Sequence, residues 1–184
     1  LINSKIRKTI KKIKKNQKLF NNKPFNEIKK NIDFDLTKDQ QNALNQINSD
    51  LKSNQKMFRL LQGDVGSGKT IVALISCLNV ISSGYQSCIM APTEILASQH
   101  YNLAKRIFNK NINIQLLTSK TQNIDRKLIL NELNSNKINL IIGTHSLFQE
   151  KIIFNKLGLI VIDEQHKFGV KQRMDLARKG GKEC

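Results

Sequence analysis

A glycine-rich segment ahead of an apolar helical stretch contains the residues best suited to chemistry. It matches the pattern of a phosphate-binding loop and reads Gly63-Asp64-Val65-Gly66-Ser67-Gly68-Lys69-Thr70. Glycines let main-chain N–H groups curl around phosphates at a helix N-terminus, whose partial positive charge attracts anions. Lys69 would contact the outer phosphates, and the hydroxyl of Thr70 would ligate Mg²⁺. The segment therefore predicts a nucleoside triphosphate site.

Two adjacent carboxylates follow an apolar run in the C-terminal part of the sequence. Residues 159–162 read LIVI, and Asp163 and Glu164 come directly after them. In a parallel sheet, the carboxyl end of a strand lies at the edge where ligands bind. We expect Asp163 to hold Mg²⁺ together with Thr70, and Glu164 to orient or deprotonate an attacking water. Lys69, Asp163 and Glu164 are therefore the predicted catalytic residues.

Apolar runs of strand length alternate with helical patterns along most of the chain. Thr37 and Gln40 resemble a capping box ahead of an apolar series that is typical of a helix. Strands are expected at 58–61, 87–91, 112–117, 138–142 and 159–162, and helices at 69–82, 94–108 and 123–133. This βαβα order predicts an α/β fold with a mostly parallel sheet and helices on both of its faces.

The positive charge is concentrated at the start of the sequence. The 184 residues include 31 Lys and Arg against 14 Asp and Glu, a formal charge of +17, and residues 1–33 alone account for +9. Among those lysines, isoleucines recur at helical spacing, at Ile2, Ile6, Ile10 and Ile13. The pattern predicts a basic amphipathic helix, which is either a surface facing nucleic acid or a plain solvated face.

The overall composition is that of a folded domain. With 39% hydrophobic residues, the chain can bury a core, which excludes a disordered chain and a disulfide-stapled miniprotein. No apolar run approaches the roughly 20 residues of a membrane span. The three cysteines, Cys77, Cys88 and Cys184, are odd in number and lack metal-ligand spacing. A reducing compartment is the expected setting, which predicts a cytoplasmic protein.

Other nucleotide-dependent classes lack their signatures. A guanine-specific site would have to use residues 22–25 (NKPF), which lack the required Asp and precede the phosphate loop. No GxGxxG segment follows a strand pattern, so a dinucleotide-dependent oxidoreductase has no support. The signatures of protein kinases are absent as well. The residues therefore favour a phosphate-loop NTPase of another kind.

Four segments together resemble the motifs of the superfamily-two DNA helicases, in particular of those that act on branched DNA. They are 62–70 (QGDVGSGKT), 91–100 (APTEILASQH), 143–149 (GTHSLFQ) and 163–173 (DEQHKFGVKQR). Residues 34–40 (FDLTKDQ) are similar to the glutamine motif that precedes the phosphate loop in this superfamily. The order and separation of these motifs make the resemblance specific, and it covers residues 34–179.

For the nucleotide site, the resemblance implies the first RecA-like lobe of a P-loop NTPase motor. ATP and Mg²⁺ would be its cofactors. Gln40 would read the adenine ring, while Lys69 and Thr70 would act with the rest of the phosphate loop on the phosphates and the metal.

For DNA, the resemblance implies contacts from loops that follow strands. Main-chain N–H groups and a hydroxyl there would grip a DNA phosphate without reading sequence. The residues concerned are Pro92, Thr93, Gly143 and Thr144. Thr93 is equally suited to a plain helix N-cap. Gln165 and His166 would couple the ATP site to the DNA-facing side, although His166 could also be an ordinary surface residue.

The resemblance also implies a domain organisation. Residues 34–184 would form the first RecA-like lobe, and residues 1–33 a basic helical connector from an N-terminal wedge domain. The wedge domain and the second lobe, which carries an arginine finger, would lie outside this sequence. The isolated lobe is therefore expected to be nearly inactive as an ATPase.

The function implied for the full-length chain is that of an ATP-dependent DNA helicase. It would unwind and remodel branched DNA, such as stalled replication forks and Holliday junctions, in DNA repair and recombination, and would act as a monomer. Two alternatives remain open at this point. One is a double-stranded DNA translocase of the transcription-repair coupling type, and the other is a non-catalytic, nucleotide-gated DNA-binding module.

Overall fold

The computed structural model describes residues 31–179, apart from residues 33, 150, 171, 173, 174 and 176–178. Almost all of the predicted basic connector at 1–33 lies outside these residues. The division of the chain at residue 34 therefore stays a prediction.

Four parallel strands form the sheet at the centre of the fold. They are β1 (Gln86–Met90), β2 (Ile114–Leu117), β3 (Leu140–Gly143) and β4 (Leu157–Ile162). Their spatial order is β2-β3-β1-β4, and each neighbouring pair is parallel. β1 and β3 are buried along their whole length because helices and loops cover the sheet on both sides. The predicted α/β fold with a parallel sheet is confirmed.

In the part of the chain that the structure describes, four helices connect or precede these strands. They are α1 (Lys38–Lys52), α2 (Lys69–Ile81), α3 (Glu94–Ile107) and α4 (Asn123–Asn134). The predicted capping box starts α1: the amide of Gln40 donates to Oγ1 of Thr37 over 3.3 Å, and the amide of Thr37 donates to Oε1 of Gln40 over 3.0 Å. Among the described residues, none of the helices has the length and apolarity to cross a bilayer.

The core lies on both faces of the sheet because successive strand residues point to opposite sides. On one face, Ile89 of β1 belongs to the same buried cluster as residues of α1, α2 and α3. On the other face, Cys88 and Met90 belong to a second cluster with Ile129 and Leu133 of α4. The prediction of helices on both faces is thereby confirmed.

The strand predicted at 58–61, ahead of the phosphate loop, is wrong. These residues form no strand in the structure. Leu61 packs against the core, but Phe58 and Leu60 are 46% and 54% exposed. The apolar composition of the segment favours a strand, yet strand formation depends on packing against neighbouring strands. No described strand pairs with this segment.

Candidate active site and nucleic-acid interface

The phosphate loop leads directly into α2. Gly66 and Gly68 have φ angles of +80° and +77°, a left-handed conformation that side chains with a Cβ rarely adopt. Nζ of Lys69 donates hydrogen bonds to the carbonyl oxygens of Gly63 and Asp64, over 2.8 and 2.7 Å. The loop therefore curls around the ammonium group of its own lysine, at the N-terminus of a long helix.

Gln40 contacts this loop. Its Nε2 donates a hydrogen bond to the carbonyl oxygen of Ser67 over 2.9 Å, although 27 positions separate the two residues. A Cβ at position 68 would collide with this amide group, so the side chain of Gln40 would have to move away from the loop. The structure thus brings together Gln40 and the phosphate loop, both of which were predicted to bind nucleotide.

Asp163 lies at the carboxyl end of β4 and is held by three hydrogen bonds. Its main-chain amide donates to the carbonyl oxygen of Met90 over 2.8 Å. Its Oδ1 accepts from the amide of Glu164 over 2.9 Å, and its Oδ2 lies 2.9 Å from Nε2 of His100. Both the main chain and the carboxylate of Asp163 are therefore fixed in position.

The surroundings of Asp163 favour its charged form. The hydrogen bond with His100 is the main cause of a lowered pKa for this carboxyl, against the opposing effect of partial burial. The positive charge of Lys69 makes a smaller contribution to the lowered pKa. The lysine of the phosphate loop therefore lies near enough to the carboxylate after β4 to influence its charge.

Glu164, the second predicted catalytic residue, has an unusual backbone conformation. Its φ and ψ are 48° and 50°, which is left-handed and costly for a residue with a Cβ. Such strain is concentrated at functional sites. Its Oε2 lies 3.4 Å from Nε2 of His166. His166 belongs to a short 3-10 helix, Gln165–Lys167, and its side chain is 66% exposed.

The donor set fits a magnesium ion. Mg²⁺ prefers oxygen ligands, and Thr70 and Asp163 offer a hydroxyl and an ionised carboxylate. Each oxygen of Asp163 has one described hydrogen-bond partner, whereas a carboxylate has about four lone-pair sites. Capacity for a metal therefore remains on Asp163.

A cleft of about 710 Å³ lies beside this site, where the loops after β1, β2 and β3 meet. The carboxyl ends of parallel strands converge at one edge of a sheet, which is why these loops are neighbours. The lining residues are Pro92, Thr93, Glu94, Ser119, Thr121, Asn123, Arg126, Thr144, His145, Ser146 and Gln149. Three of the four predicted DNA-binding residues line the cleft, and the fourth, Gly143, ends β3 just before Thr144.

Thr93 also caps α3, because its side chain accepts a hydrogen bond from the amide of Leu96 over 3.3 Å. The capping role foreseen for this residue is confirmed. Its position on the wall of the cleft leaves room for the second role, because a threonine hydroxyl can both donate and accept.

The sequence analysis did not identify the side of the cleft that is formed by residues after β2. Arg126 of α4 donates a hydrogen bond to Oε1 of Gln149 over 2.5 Å, which orients its guanidinium at the cleft. Glu94 accepts a hydrogen bond from Ser119 and pairs with Lys120 at 3.2 Å; the bond from Ser119 is the main cause of its lowered pKa. Ser119, Lys120 and Arg126 lie outside the helicase-like segments. Their position after a predicted strand was the available signal.

An aromatic cluster joins two of the motif segments. Phe168 is 3% exposed, and its ring centroid lies 5.0 Å from that of His145 and 6.0 Å from that of Phe148. The segment after β4 is thereby packed against the segment after β3. Sequence analysis assigned no role to Phe168.

The fold and the phosphate loop together define a P-loop NTPase lobe, with a polar cleft at the loops that follow β1, β2 and β3. The chain belongs to the DEAD/DEAH box helicase family, which it matches over residues 37–182. The resemblance to superfamily-two helicases is thus confirmed.

Its relatives include helicases named RecG. The chain is 47% identical over 162 residues to an ATP-dependent DNA helicase RecG of Staphylococcus epidermidis, covering 86% of this chain and 24% of the relative. It is 46% identical over 159 residues to a RecG of Staphylococcus aureus, covering 85% of this chain and 23% of the relative. The chain therefore spans about a quarter of the length of these relatives.

Solved structures agree with this assignment. RecG bound to a three-way DNA junction superposes with a TM-score of 0.83 at 42% identity, over 90% of this chain and 23% of that one. The UvsW helicase of bacteriophage T4 has a TM-score of 0.60 at 17% identity, over 91% of this chain and 59% of that one. The second similarity shows the shared fold alone.

Proposed function

We propose that this chain is the ATP-binding motor lobe of a DNA helicase that unwinds and remodels branched DNA, such as forks and Holliday junctions, in repair and recombination. The observation that carries the proposal is the geometry of the phosphate loop, in which Gly66 and Gly68 take left-handed conformations directly before Lys69 at the N-terminus of α2. The identity with RecG helicases, one of which is solved on a three-way junction, supports branched DNA as the substrate. The protein would act as a monomer in the cytoplasm.

At the nucleotide site, each residue has a separate task. The phosphate loop binds the phosphates through main-chain N–H groups, and Lys69 moves from the loop carbonyls to the outer phosphates. Gln40 contacts the adenine ring from its place beside Ser67. Asp163 and Thr70 would hold Mg²⁺, which would supply positive charge to neutralise the phosphates. Glu164 orients the attacking water and accepts its proton.

At the DNA site, the lining of the cleft favours contact with the phosphate backbone. Hydroxyl groups and the guanidinium of Arg126 are typical partners of phosphate oxygens. Such contacts carry no base information, so binding depends on the shape of the DNA and on salt. A motor that must pass over any sequence needs this property.

The test is ATP hydrolysis by the protein at its native length, without DNA and with single strand, linear duplex or a three-way junction. Strong stimulation by the junction, abolished in Lys69→Ala, supports a branched-DNA motor. Equal stimulation by linear duplex would instead indicate a translocase without strand separation. An absence of turnover under every condition would indicate a nucleotide-gated binding module.

A matched control separates the role of Lys69 from its charge. Lys110 is an exposed lysine in the loop after α3. Lys110→Ala removes the same charge, and we expect it to leave hydrolysis unchanged. Equal losses in both variants would contradict the assignment of the phosphate loop.

A further inference from the structure

We propose that His100 is a positioning residue that couples DNA binding to the nucleotide site through Asp163. The proposal rests on the proposed function, because it requires that the protein binds both nucleotide and DNA. None of the motif assignments gave His100 a role. The structure places it in direct contact with the carboxylate that would hold the metal.

The contact is specific, and its histidine is shielded from solvent. His100 is 8% exposed, and its Nε2 lies 2.9 Å from Oδ2 of Asp163. Oδ1 of the same carboxylate is held by the amide of Glu164. The histidine therefore fixes the one carboxylate oxygen that the local backbone does not, and so it sets the orientation of the whole group.

The same helix reaches the DNA cleft. α3 starts after Thr93, which lines the cleft together with Glu94. The seven residue steps from Thr93 to His100 span about 10 Å of helix at roughly 1.5 Å per step. A helix of this length moves as a rigid body, so a shift of its N-terminus on a DNA phosphate displaces the imidazole relative to Asp163. A discrete physical connection of this kind is what energetic coupling between sites requires.

His100 fits this role better than His166, the residue that the resemblance implied. The side chain of His166 is 66% exposed and pairs with Glu164 at 3.4 Å. Neither histidine lines the cleft, but His100 belongs to the helix whose first residue, Glu94, does. An exposed side chain in an exposed ion pair transmits little, because solvent screens the interaction and lets both groups move independently.

If nucleotide changes the affinity for DNA, DNA must change the affinity for nucleotide by the same factor. Either affinity can therefore be used to measure the coupling. For the protein at its native length, the affinity for a fluorescent three-way junction is measured with and without a non-hydrolysable ATP analogue and Mg²⁺. The ratio of the two affinities is the coupling factor, which is commonly about 5-fold to 150-fold in coupled proteins. The KM for ATP and the kcat are measured in parallel, without DNA and with the junction.

The variants are chosen to separate contact from packing. His100→Leu fills the buried position with an apolar side chain but removes the hydrogen bond. We expect the coupling factor in this variant to fall to within about twofold of unity. His100→Gln places an amide nitrogen as many bonds from Cβ as Nε2, and we expect it to restore much of the coupling. Asn102→Ala alters an exposed residue of the same helix, so the coupling should stay at the wild-type value.

The outcomes distinguish a failure of the role of His100 from a failure of the proposed function. A wild-type coupling factor that persists in His100→Leu would overturn the role of His100 and leave the proposed function standing. A wild-type protein whose DNA and nucleotide affinities are independent would overturn both. If His100→Leu fails to fold, His100→Asn takes its place, because its amide is one bond too short for the contact. Retention of full coupling in His100→Asn would refute the proposal.

Discussion

Nε2 of the Gln40 side chain donates a hydrogen bond to the carbonyl oxygen of Ser67 over 2.9 Å, while Oε1 of the same side chain accepts from the main-chain amide of Thr37 over 3.0 Å. One side chain thus completes the N-terminal cap of α1 and holds the phosphate loop. The start of α1 and the loop are therefore a single unit. A change in the loop should therefore displace the side chain of Gln40. A substitution at Gly68 tests this.

Gly68→Ala should weaken nucleotide binding. The new methyl group would collide with the amide of Gln40, in a backbone with φ of +77°. A left-handed residue with a Cβ costs about 1–2 kcal/mol by itself. We expect lower stability in thermal unfolding and a loss of nucleotide affinity of tenfold or more, corresponding to about 1.4 kcal/mol, in titration with a fluorescent nucleotide.

Gly84→Ala is the matched control for this loss. Gly84 has a φ of +83°, but a Cβ there meets nothing within 4 Å. It follows the C-terminal end of α2, away from the phosphate loop. We expect the same loss of stability with normal nucleotide affinity. Equal affinity losses in both variants would show that the collision with Gln40 has no role.

Local signals explain what the sequence predicted correctly. The cap of α1 depends on Thr37 and Gln40, which are three positions apart, and the order of strands and helices depends on short apolar patterns. The phosphate loop is also a local motif, because its own glycines and helix create the binding surface. These features need no knowledge of distant contacts.

Non-local contacts explain what the sequence did not predict. His100 and Asp163 are 63 positions apart, and Arg126 and Gln149 are 23 apart, so only the fold reveals these pairs. The wrong strand at 58–61 has the same cause. Its composition was suitable, but a strand requires a hydrogen-bonded neighbour, which local sequence cannot report.

Phe168→Ala should destabilise the protein. Phe168 is buried against His145 and Phe148, and truncation of a buried phenylalanine costs about 3–5 kcal/mol. Denaturant unfolding measures this loss. Phe168→Leu keeps most of the volume and should cost less than about 1.5 kcal/mol. A similar, small loss in both variants would mean that the cluster contributes little to stability.

The thiol of Cys77 should make stability fall at high pH. Burial raises its pKa to about 12, from an ordinary value of 9.0. Between these values the unfolded chain loses the proton while the folded chain keeps it. The free energy of unfolding should therefore fall as pH rises above 9.0, by up to about 1.4 kcal/mol per pH unit for this one group.

Cys77→Ala isolates this effect, since other groups also titrate at high pH. The difference in unfolding free energy between the wild type and the variant should be constant below pH 9.0 and change above it. In the folded protein, Cys77 and Cys88 should resist alkylation at pH 8 as long as the chain stays folded, because both are buried. Rapid alkylation of Cys77, detected by mass spectrometry of peptides, would contradict the burial.

Arg126→Gln should weaken DNA binding in a salt-dependent way. Arg126 lines the cleft with its guanidinium oriented by Gln149, so we expect it to contact one phosphate. Loss of one phosphate contact on a duplex reduces the slope of log affinity against log salt by about 0.9. Titrations of the native-length protein with duplex at several salt concentrations measure both effects.

Arg106→Gln removes the same charge from the exposed last turn of α3, at the other end of that helix from Thr93. If Arg126→Gln and Arg106→Gln change the salt slope equally, Arg126 contributes only to the general charge of the protein and the cleft has no special role in binding DNA.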